Sequence, residues 1–132
     1  MIEQWQPVPQ TRDTQPEVSL LVRFADVAEA FANTGNCDIA EADLNRASGW
    51  LKIQEAVWYE SLVDLDEHQL YQLAVFFTLA EQKLSGFQAG ARNPAIWACR
   101  LLKQLGKTPA KEQVRYLKSL TDNRYIPWGK VI

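Results

Sequence analysis

The fold of this 132-residue chain is decided by the stretch Leu73-Ala74-Val75-Phe76-Phe77-Thr78-Leu79-Ala80. Nearly every position is apolar, and a helix that is apolar on all sides belongs inside a bundle. One predicted helix face comprises Leu70, Leu73, Ala74, Phe77, Ala80 and Leu84, and a second comprises Tyr71, Val75, Phe76 and Leu79. Two apolar faces need neighbours on at least two sides, so the pattern predicts a central buried helix.

Local signals mark both ends of this central helix, predicted at about residues 65–84. Asp66 is suited to the N-cap, and Gln69 is suited to the reciprocal contact of a capping box three residues later. At the other end, Gly86 suits the left-handed C′ position that often ends a helix. The central helix is therefore expected to be well defined at both termini.

Two helical regions are predicted before the central helix. The first begins near Pro16, since proline is tolerated in a first turn, and it stops before Gly35. The second begins at Asp38 as N-cap and extends to about Leu62. Gly49 interrupts its apolar pattern, and glycine costs about 1 kcal/mol in a helix interior relative to alanine. We therefore expect two shorter helices rather than one long helix.

Two more helices are predicted after the central helix. Asn93 caps the first of them, with Pro94 at its first position, and Gly106 closes it. Thr108 and Pro109 repeat the cap-plus-proline pattern for the last helix. The short junction also allows a helix-turn-helix, although a plain helical hairpin explains the same pattern and is the preferred interpretation.

The predicted fold class is therefore all-α: a compact bundle of five to six helices around the central helix, with irregular N- and C-terminal tails. Residues 1–15 are expected to form a flexible tail, since Pro7 and Pro9 disfavour a helix there. Residues 16–132 are expected to form a single helical domain that includes an aromatic C-terminal tail at about residues 122–132. The pattern does not decide whether that tail packs on the core or faces a partner.

The sequence predicts a soluble cytoplasmic protein without membrane association. Residues 1–7 lack the basic and apolar regions of a signal peptide, and the longest apolar run is far below the roughly 20 residues of a membrane span. Cys37 and Cys99 are isolated, which predicts two free thiols rather than a disulfide or a zinc site. No cofactor or metal motif occurs, and His68 is expected in the exposed first turn of the central helix.

Charge is distributed unevenly along the chain. After Ala80 there are three acids and ten bases, which are Lys83, Arg92, Arg100, Lys103, Lys107, Lys111, Arg115, Lys118, Arg124 and Lys130. Before Ala80 the balance is reversed, with thirteen acids and four bases. This asymmetry indicates either a polar partner for the basic half or mutual attraction of the two halves within the fold.

The predicted function is that of a small non-enzymatic interaction or adaptor protein, which binds an acidic protein surface through its basic, aromatic C-terminal half. Loops and ends often carry function, and Trp, Tyr and Arg dominate binding energies. The predicted contact residues are Phe87, Arg92, Lys107, Lys111, Arg115, Lys118, Arg124, Tyr125 and Trp128. The alternative is a nucleic-acid-associated regulator that uses the basic face of the last two helices. The sequence does not specify an oligomeric state.

Overall fold

The structure, a computed structural model, describes residues 15–130. Within these residues it is an all-α bundle of six α-helices: α1 (Val18–Thr34), α2 (Glu41–Ser48), α3 (Glu55–Leu62), α4 (Glu67–Lys83), α5 (Pro94–Gln104) and α6 (Lys111–Ser119). Two single 3-10 turns, Gly49–Lys52 and Gly90–Arg92, precede α3 and α5. The predicted N-terminal tail lies outside the described residues except for Gln15, as do the last two residues of the C-terminal tail.

The predicted central helix is α4, which packs against α1 and α5 and also contacts α6. Every residue from Leu73 to Ala80 is buried, as the apolar pattern predicts. The capping box is confirmed: Asp66 Oδ1 accepts from the Gln69 backbone N–H at 2.7 Å, and Gln69 Oε1 accepts from the Asp66 N–H at 2.9 Å. Gly86 has the expected positive φ of 87°. However, the chain is already extended at Leu84, so Gly86 turns the chain after the helix instead of capping it.

Aromatic rings form the centre of the core. Phe24 of α1 stacks on Phe76 with ring centroids 4.2 Å apart, and it meets Phe77 edge-on at 5.8 Å. Trp58 of α3 meets Phe77 at 90° and 5.7 Å. Each such pair contributes about 0.5–1.5 kcal/mol beyond the burial of its area. The adjacent rings of α4 therefore join α1 and α3 to the central helix.

The second helical region is broken at Gly49, as predicted. The 3-10 turn separates α2 from α3, and Trp58 Nε1 donates to the Trp50 carbonyl at 3.1 Å across this corner. The prediction that Asp38 is the N-cap of α2 is wrong. Helix α2 begins at Glu41 with Ala40 in the N-cap position, and no side chain caps it. The first helix likewise begins two residues after Pro16, at Val18.

The two helices after α4 differ in how well their starts were predicted. Asn93 caps α5 as expected, with its Oδ1 accepting from the Ala95 N–H at 2.8 Å and Pro94 at the first position. Gly106 closes α5 with a φ of 75°, and the Lys107 N–H donates to the Leu102 carbonyl at 2.8 Å, as in a Schellman motif. The predicted start of α6 at Thr108 and Pro109 is wrong.

Helix α6 begins at Lys111 and has Ala110 as its N-cap. Alanine has no capping side chain, and Gln113 Oε1 instead accepts from the Ala110 N–H at 2.8 Å. Pro109 is buried before the helix begins. Leu117 of α6 is fully buried, so this short helix is attached to the bundle by its inner face.

Both cysteines are free, as predicted: Cys99 is buried in α5, and Cys37 is half-buried between α1 and α2. Burial raises the pKa of the Cys99 thiol to about 12 and also raises the pKa of Cys37. No helix in residues 15–130 reaches the length and apolar character that a membrane span requires.

Replacing Phe77 by alanine tests the central helix. Phe77 is 1% exposed, and deleting a buried phenylalanine typically lowers the free energy of unfolding by about 3–5 kcal/mol. Urea denaturation monitored by circular dichroism measures this loss. Tyr116→Ala is the control, because Tyr116 is 41% exposed on α6. A loss below about 1 kcal/mol for Phe77→Ala would contradict its central place in the core.

Thiol accessibility tests the burial of the two cysteines. The thiolate is the reactive form, so the higher pKa and full burial of Cys99 should make it react much more slowly than Cys37 with a disulfide reagent in the native protein. After unfolding without reductant, both thiols should react. If no thiol were titratable after unfolding, the two residues would be bridged.

Candidate functional site

The structure distributes the nine predicted contact residues over four places. Phe87 and Arg92 lie in the connection between α4 and α5, and Lys107 lies in the connection between α5 and α6. Lys111, Arg115 and Lys118 lie on α6, and Arg124, Tyr125 and Trp128 lie in the segment after it. The predicted contact residues therefore belong to several elements, and each part has its own surroundings.

The connection between α4 and α5 is tied down by internal contacts. The Phe87 ring is 2% exposed and lies 6.4 Å from the ring of Phe77. Arg92 is exposed, and its Nη2 donates to the Lys52 carbonyl at 3.1 Å. Phe87 therefore fills the core instead of presenting an exposed ring, and we draw the candidate contact surface without it.

Lys107 lies at a groove of about 420 Å³ between the start of α4 and the start of α6. Its Nζ is 3.8 Å from Glu67 Oε1 across this groove. His68 is exposed in the first turn of α4, as predicted, and lines the same groove with Tyr71. The Tyr71 hydroxyl donates to the Gln113 carbonyl at 3.1 Å, which ties α6 to α4.

The remaining bases of α6 share one exposed face. Lys111, Arg115 and Lys118 are spaced by four and three residues, which places them on the same side of the helix. Together with Pro109 and Val114 they line an open hollow of about 330 Å³. We call these five residues the α6 face. In residues 15–130, no carboxylate oxygen lies within 4.0 Å of its three charged groups.

The segment after α6, residues 121–130, is docked on the bundle, and we call it the C-terminal segment. Ile126 is 1% exposed, and Tyr125 and Trp128 are half-buried. Asn123 Nδ2 donates to Glu81 Oε1 and to the Gly90 carbonyl, both at 2.9 Å. The sequence pattern does not decide whether this tail packs on the core or faces a partner. In the structure, one side of residues 121–130 packs on the core.

Glu81 is the polar group on which this docking depends. Its carboxylate accepts from Asn93 Nδ2 at 2.6 Å and from the Gly90 N–H at 3.2 Å, in addition to Asn123. One feature of the sequence could have identified Glu81 as a residue that needs hydrogen-bond donors. A carboxylate in the last turn of a helix opposes the helix dipole, so Glu81 near the end of α4 needs compensating donors.

Arg100 of α5 holds the other end of the C-terminal segment. Its Nε donates to the Trp128 carbonyl at 3.0 Å, and its Nη1 lies 3.1 Å from Glu55 Oε2. The guanidinium also lies 5.4 Å from the ring centroid of Trp97. Gly129 is buried against Arg100, and a side chain there would collide with the guanidinium. Sequence reasoning missed this role because the contacting residues are distant in the chain.

The outer side of the C-terminal segment carries a cationic aromatic pair. The Arg124 guanidinium lies 5.3 Å from the Tyr125 ring centroid, and its Nη2 lies 3.4 Å from the Tyr125 hydroxyl. The same two residues, with Gly129 and Lys130, line a hollow of about 380 Å³. The hydrogen bond and the charge of Arg124, together with the charge of Lys130, lower the pKa of Tyr125.

Trp128 faces a different direction from this hollow. Lys103 Nζ lies 5.4 Å from its ring centroid, so α5 covers part of the ring with a cation. Attraction of this kind contributes about 0.5–1 kcal/mol at exposed sites. The Trp128 ring thus contacts Lys103 and is also partly accessible to solvent.

Comparison with known proteins gives no match: no protein-family model fits the chain, and no curated protein or solved structure is significantly similar to it.

Replacing Asn123 by alanine tests the docking of the C-terminal segment. The variant removes two donated hydrogen bonds, and it leaves Glu81 and the Gly90 carbonyl each with one partner fewer. We expect the free energy of unfolding to fall by about 1–2 kcal/mol. Amide exchange of Tyr125 and Gly129 should also become faster.

Asn45→Ala is the matched control, since Asn45 is exposed in α2. Its effect should stay within about 0.5 kcal/mol. Equal stabilities and equal exchange rates for the two variants would show that Asn123 does not hold the segment.

Proposed function

We propose that this protein is a non-enzymatic interaction or adaptor protein that binds an acidic surface of another protein through the α6 face and the exposed residues of the C-terminal segment. One observation carries the proposal: three cations of α6 stand around an apolar floor without a carboxylate partner among residues 15–130. A surface of this composition favours an anionic partner that also offers apolar contact.

The pairing of charges within the fold supports this interpretation. Three ion pairs link residues of the acidic half with each other: Arg23–Asp43, Arg46–Glu17 and Arg46–Asp43. In the described part of the chain, the two halves are joined by only two pairs, Arg100–Glu55 and Lys107–Glu67. Mutual attraction of the halves therefore uses few of the C-terminal bases, and most remain available to a partner.

The shape of the α6 face also fits a protein partner. Pro109 is buried and Val114 is half-buried at the floor, while Lys111, Arg115 and Lys118 are exposed around them. Protein interfaces typically combine an apolar centre with a polar rim. Complementary charge at the rim mainly accelerates association and selects the partner.

The nucleic-acid alternative has weaker geometric support. In a helix-turn-helix, the first turn of the second helix contacts base edges. In α6 that turn includes Glu112, which would repel phosphates, and Gln113, whose side chain caps the helix and whose carbonyl accepts from Tyr71. A hairpin of α5 and α6 that displays cations to a protein accounts for these contacts better.

We also propose a cytoplasmic location, supported by the two free thiols. Cys37 and Cys99 are both unpaired, which is typical of proteins in reducing compartments.

Charge-neutral variants of the α6 face test the proposed function. Partners captured from the native cell by the wild-type protein would be identified by mass spectrometry and then titrated in purified form. The double variant Lys111→Gln/Lys118→Gln should weaken binding by about tenfold or more and reduce its salt dependence, because rim charges act through screened attraction. Lys52→Gln/Lys83→Gln is the control, with the same change of charge at exposed lysines outside the α6 face.

Unchanged affinity and unchanged salt dependence in the α6 variant would refute the proposed contact. Titration with duplex and single-stranded DNA at two salt concentrations examines the alternative. Lack of binding at low salt would exclude it, since phosphate contacts are strongest there. Tight DNA binding that the α6 variant abolishes would instead favour the regulator.

A further inference from the structure

We propose that the hollow lined by Arg124, Tyr125, Gly129 and Lys130 is a binding site for a phosphomonoester group. We call it the C-terminal hollow. It is a site distinct from the α6 face, and it does not depend on the function proposed for that face. Its volume of about 380 Å³ lies near the lower end of the range for ligand sites, so it suits a small charged group more than a large cofactor.

Three donors converge on this hollow. Arg124 supplies a planar guanidinium, Lys130 an ammonium group, and Tyr125 a hydroxyl. The guanidinium and the phenol are already in contact, with Arg124 Nη2 3.4 Å from the Tyr125 hydroxyl oxygen. The depressed pKa of Tyr125 has Arg124 as its largest cause and Lys130 as a further one. Both cations therefore act on the same oxygen, where an anionic ligand would be placed.

The number of donors and charges favours a phosphomonoester over a carboxylate. A phosphomonoester carries close to two negative charges at neutral pH and has three acceptor oxygens. Two cations and one hydroxyl match that charge and that number of acceptors. A carboxylate has one charge and would leave one cation unmatched. Arginine in particular binds phosphate oxygens through two parallel hydrogen bonds.

The walls of the C-terminal hollow are held in place before any ligand arrives. Asn123 Oδ1 accepts from the Tyr125 N–H at 2.9 Å, and the Gly129 N–H donates to the Tyr125 carbonyl at 2.6 Å. Ile126 is buried, and Gly129 is enclosed by Arg100 and Ile96 with a φ of 88°. Binding therefore requires little ordering of the backbone, which lowers the entropic cost of capturing a small ligand.

Negative charge also lies near the Arg124–Tyr125 pair. These two residues also line a second hollow of about 400 Å³, which contains Glu81 and Asp122. Glu81 is occupied by its three donors there. In the described residues, no carboxylate oxygen comes within 4.0 Å of the Arg124 or Lys130 nitrogens. Within residues 15–130, the charge of these two cations is therefore not neutralised by an ion pair.

The test uses the full chain and two matched probes, phenyl phosphate and benzoate, followed by amide chemical shifts. Phenyl phosphate should produce saturable shifts at Tyr125, Gly129 and Lys130, and benzoate should bind at least several-fold more weakly. Arg124→Gln should weaken phenyl phosphate binding by about tenfold or more, as expected for loss of a charge-assisted contact. Lys83→Gln is the control and should leave the affinity unchanged, because Lys83 is exposed at the end of α4.

The protonation state of the probe provides a second readout. The second pKa of a phosphomonoester is about 6, so the ligand loses one negative charge as the pH falls from 7.5 to 5. Affinity should fall over that interval, whereas benzoate, with a pKa below it, should bind with nearly constant affinity. Circular dichroism establishes that Arg124→Gln is folded, and Lys130→Gln replaces it if it is not.

The proposal is overturned by any of three results: no saturable shifts at the hollow, equal affinity for benzoate, or an affinity unchanged by loss of either cation. A phosphoserine peptide compared with phenyl phosphate then distinguishes the source of the group. Tighter binding of the peptide assigns the phosphate to a modified protein, and equal binding assigns it to a small molecule. The Lys111→Gln/Lys118→Gln variant should retain phenyl phosphate binding, which separates this site from the α6 face.

Discussion

The structure depends on the burial of the middle of α4, residues 73–80, from all sides. Phe76 and Phe77 are adjacent in sequence, so their rings leave the helix axis in different directions. Both contact Phe24, and each ring also has neighbours of its own. Phe76 stacks on Phe24 of α1, and Phe77 meets Trp58 of α3 and Phe87. The helix and the connection after it therefore share one core. Any surface on the C-terminal half is positioned by this core.

Two polar residues, Glu81 and Arg100, attach the chain after α6 to the helical bundle. The Glu81 carboxylate, near the end of α4, accepts hydrogen bonds from Gly90 and Asn93 before α5 and from Asn123. Arg100 on α5 links Glu55 with the Trp128 carbonyl. Both groups contact residues of the C-terminal segment, so loss of either would remove a hydrogen bond that attaches this segment to the bundle. The C-terminal segment is thus rigid enough to form a defined hollow.

The separation of charge along the chain is reflected in its ion pairs, of which only two join the halves within residues 15–130. The acidic half uses its few arginines in local ion pairs, as Arg46 does with Glu17 and Asp43. The basic half has few carboxylates, so the cations of α6 and of the C-terminal hollow face solvent. Exposed ion pairs contribute little to stability, with a median near 0–1 kcal/mol. We propose that these exposed cations recognise an anionic partner.

Much of the helical framework could be read from the sequence because its signals are local. The Asp66–Gln69 box, the Asn93 cap and the break at Gly49 each depend on residues within a few positions of one another. The cap signals at Asp38 and Thr108 are equally local, yet the N-caps lie two residues later, at Ala40 and Ala110.

The accessibility of each candidate residue was decided only by the tertiary structure. Phe87 and Tyr125 are both aromatic residues in irregular segments, yet Phe87 is enclosed by the core and Tyr125 borders a hollow beside Arg124. Composition could not separate them, because burial depends on which distant surfaces meet, such as Phe87 with Phe77 or Asn123 with Glu81. The sequence by itself determined the helices and the sign of each half's charge. Long-range packing determined which of those charges and rings face outward.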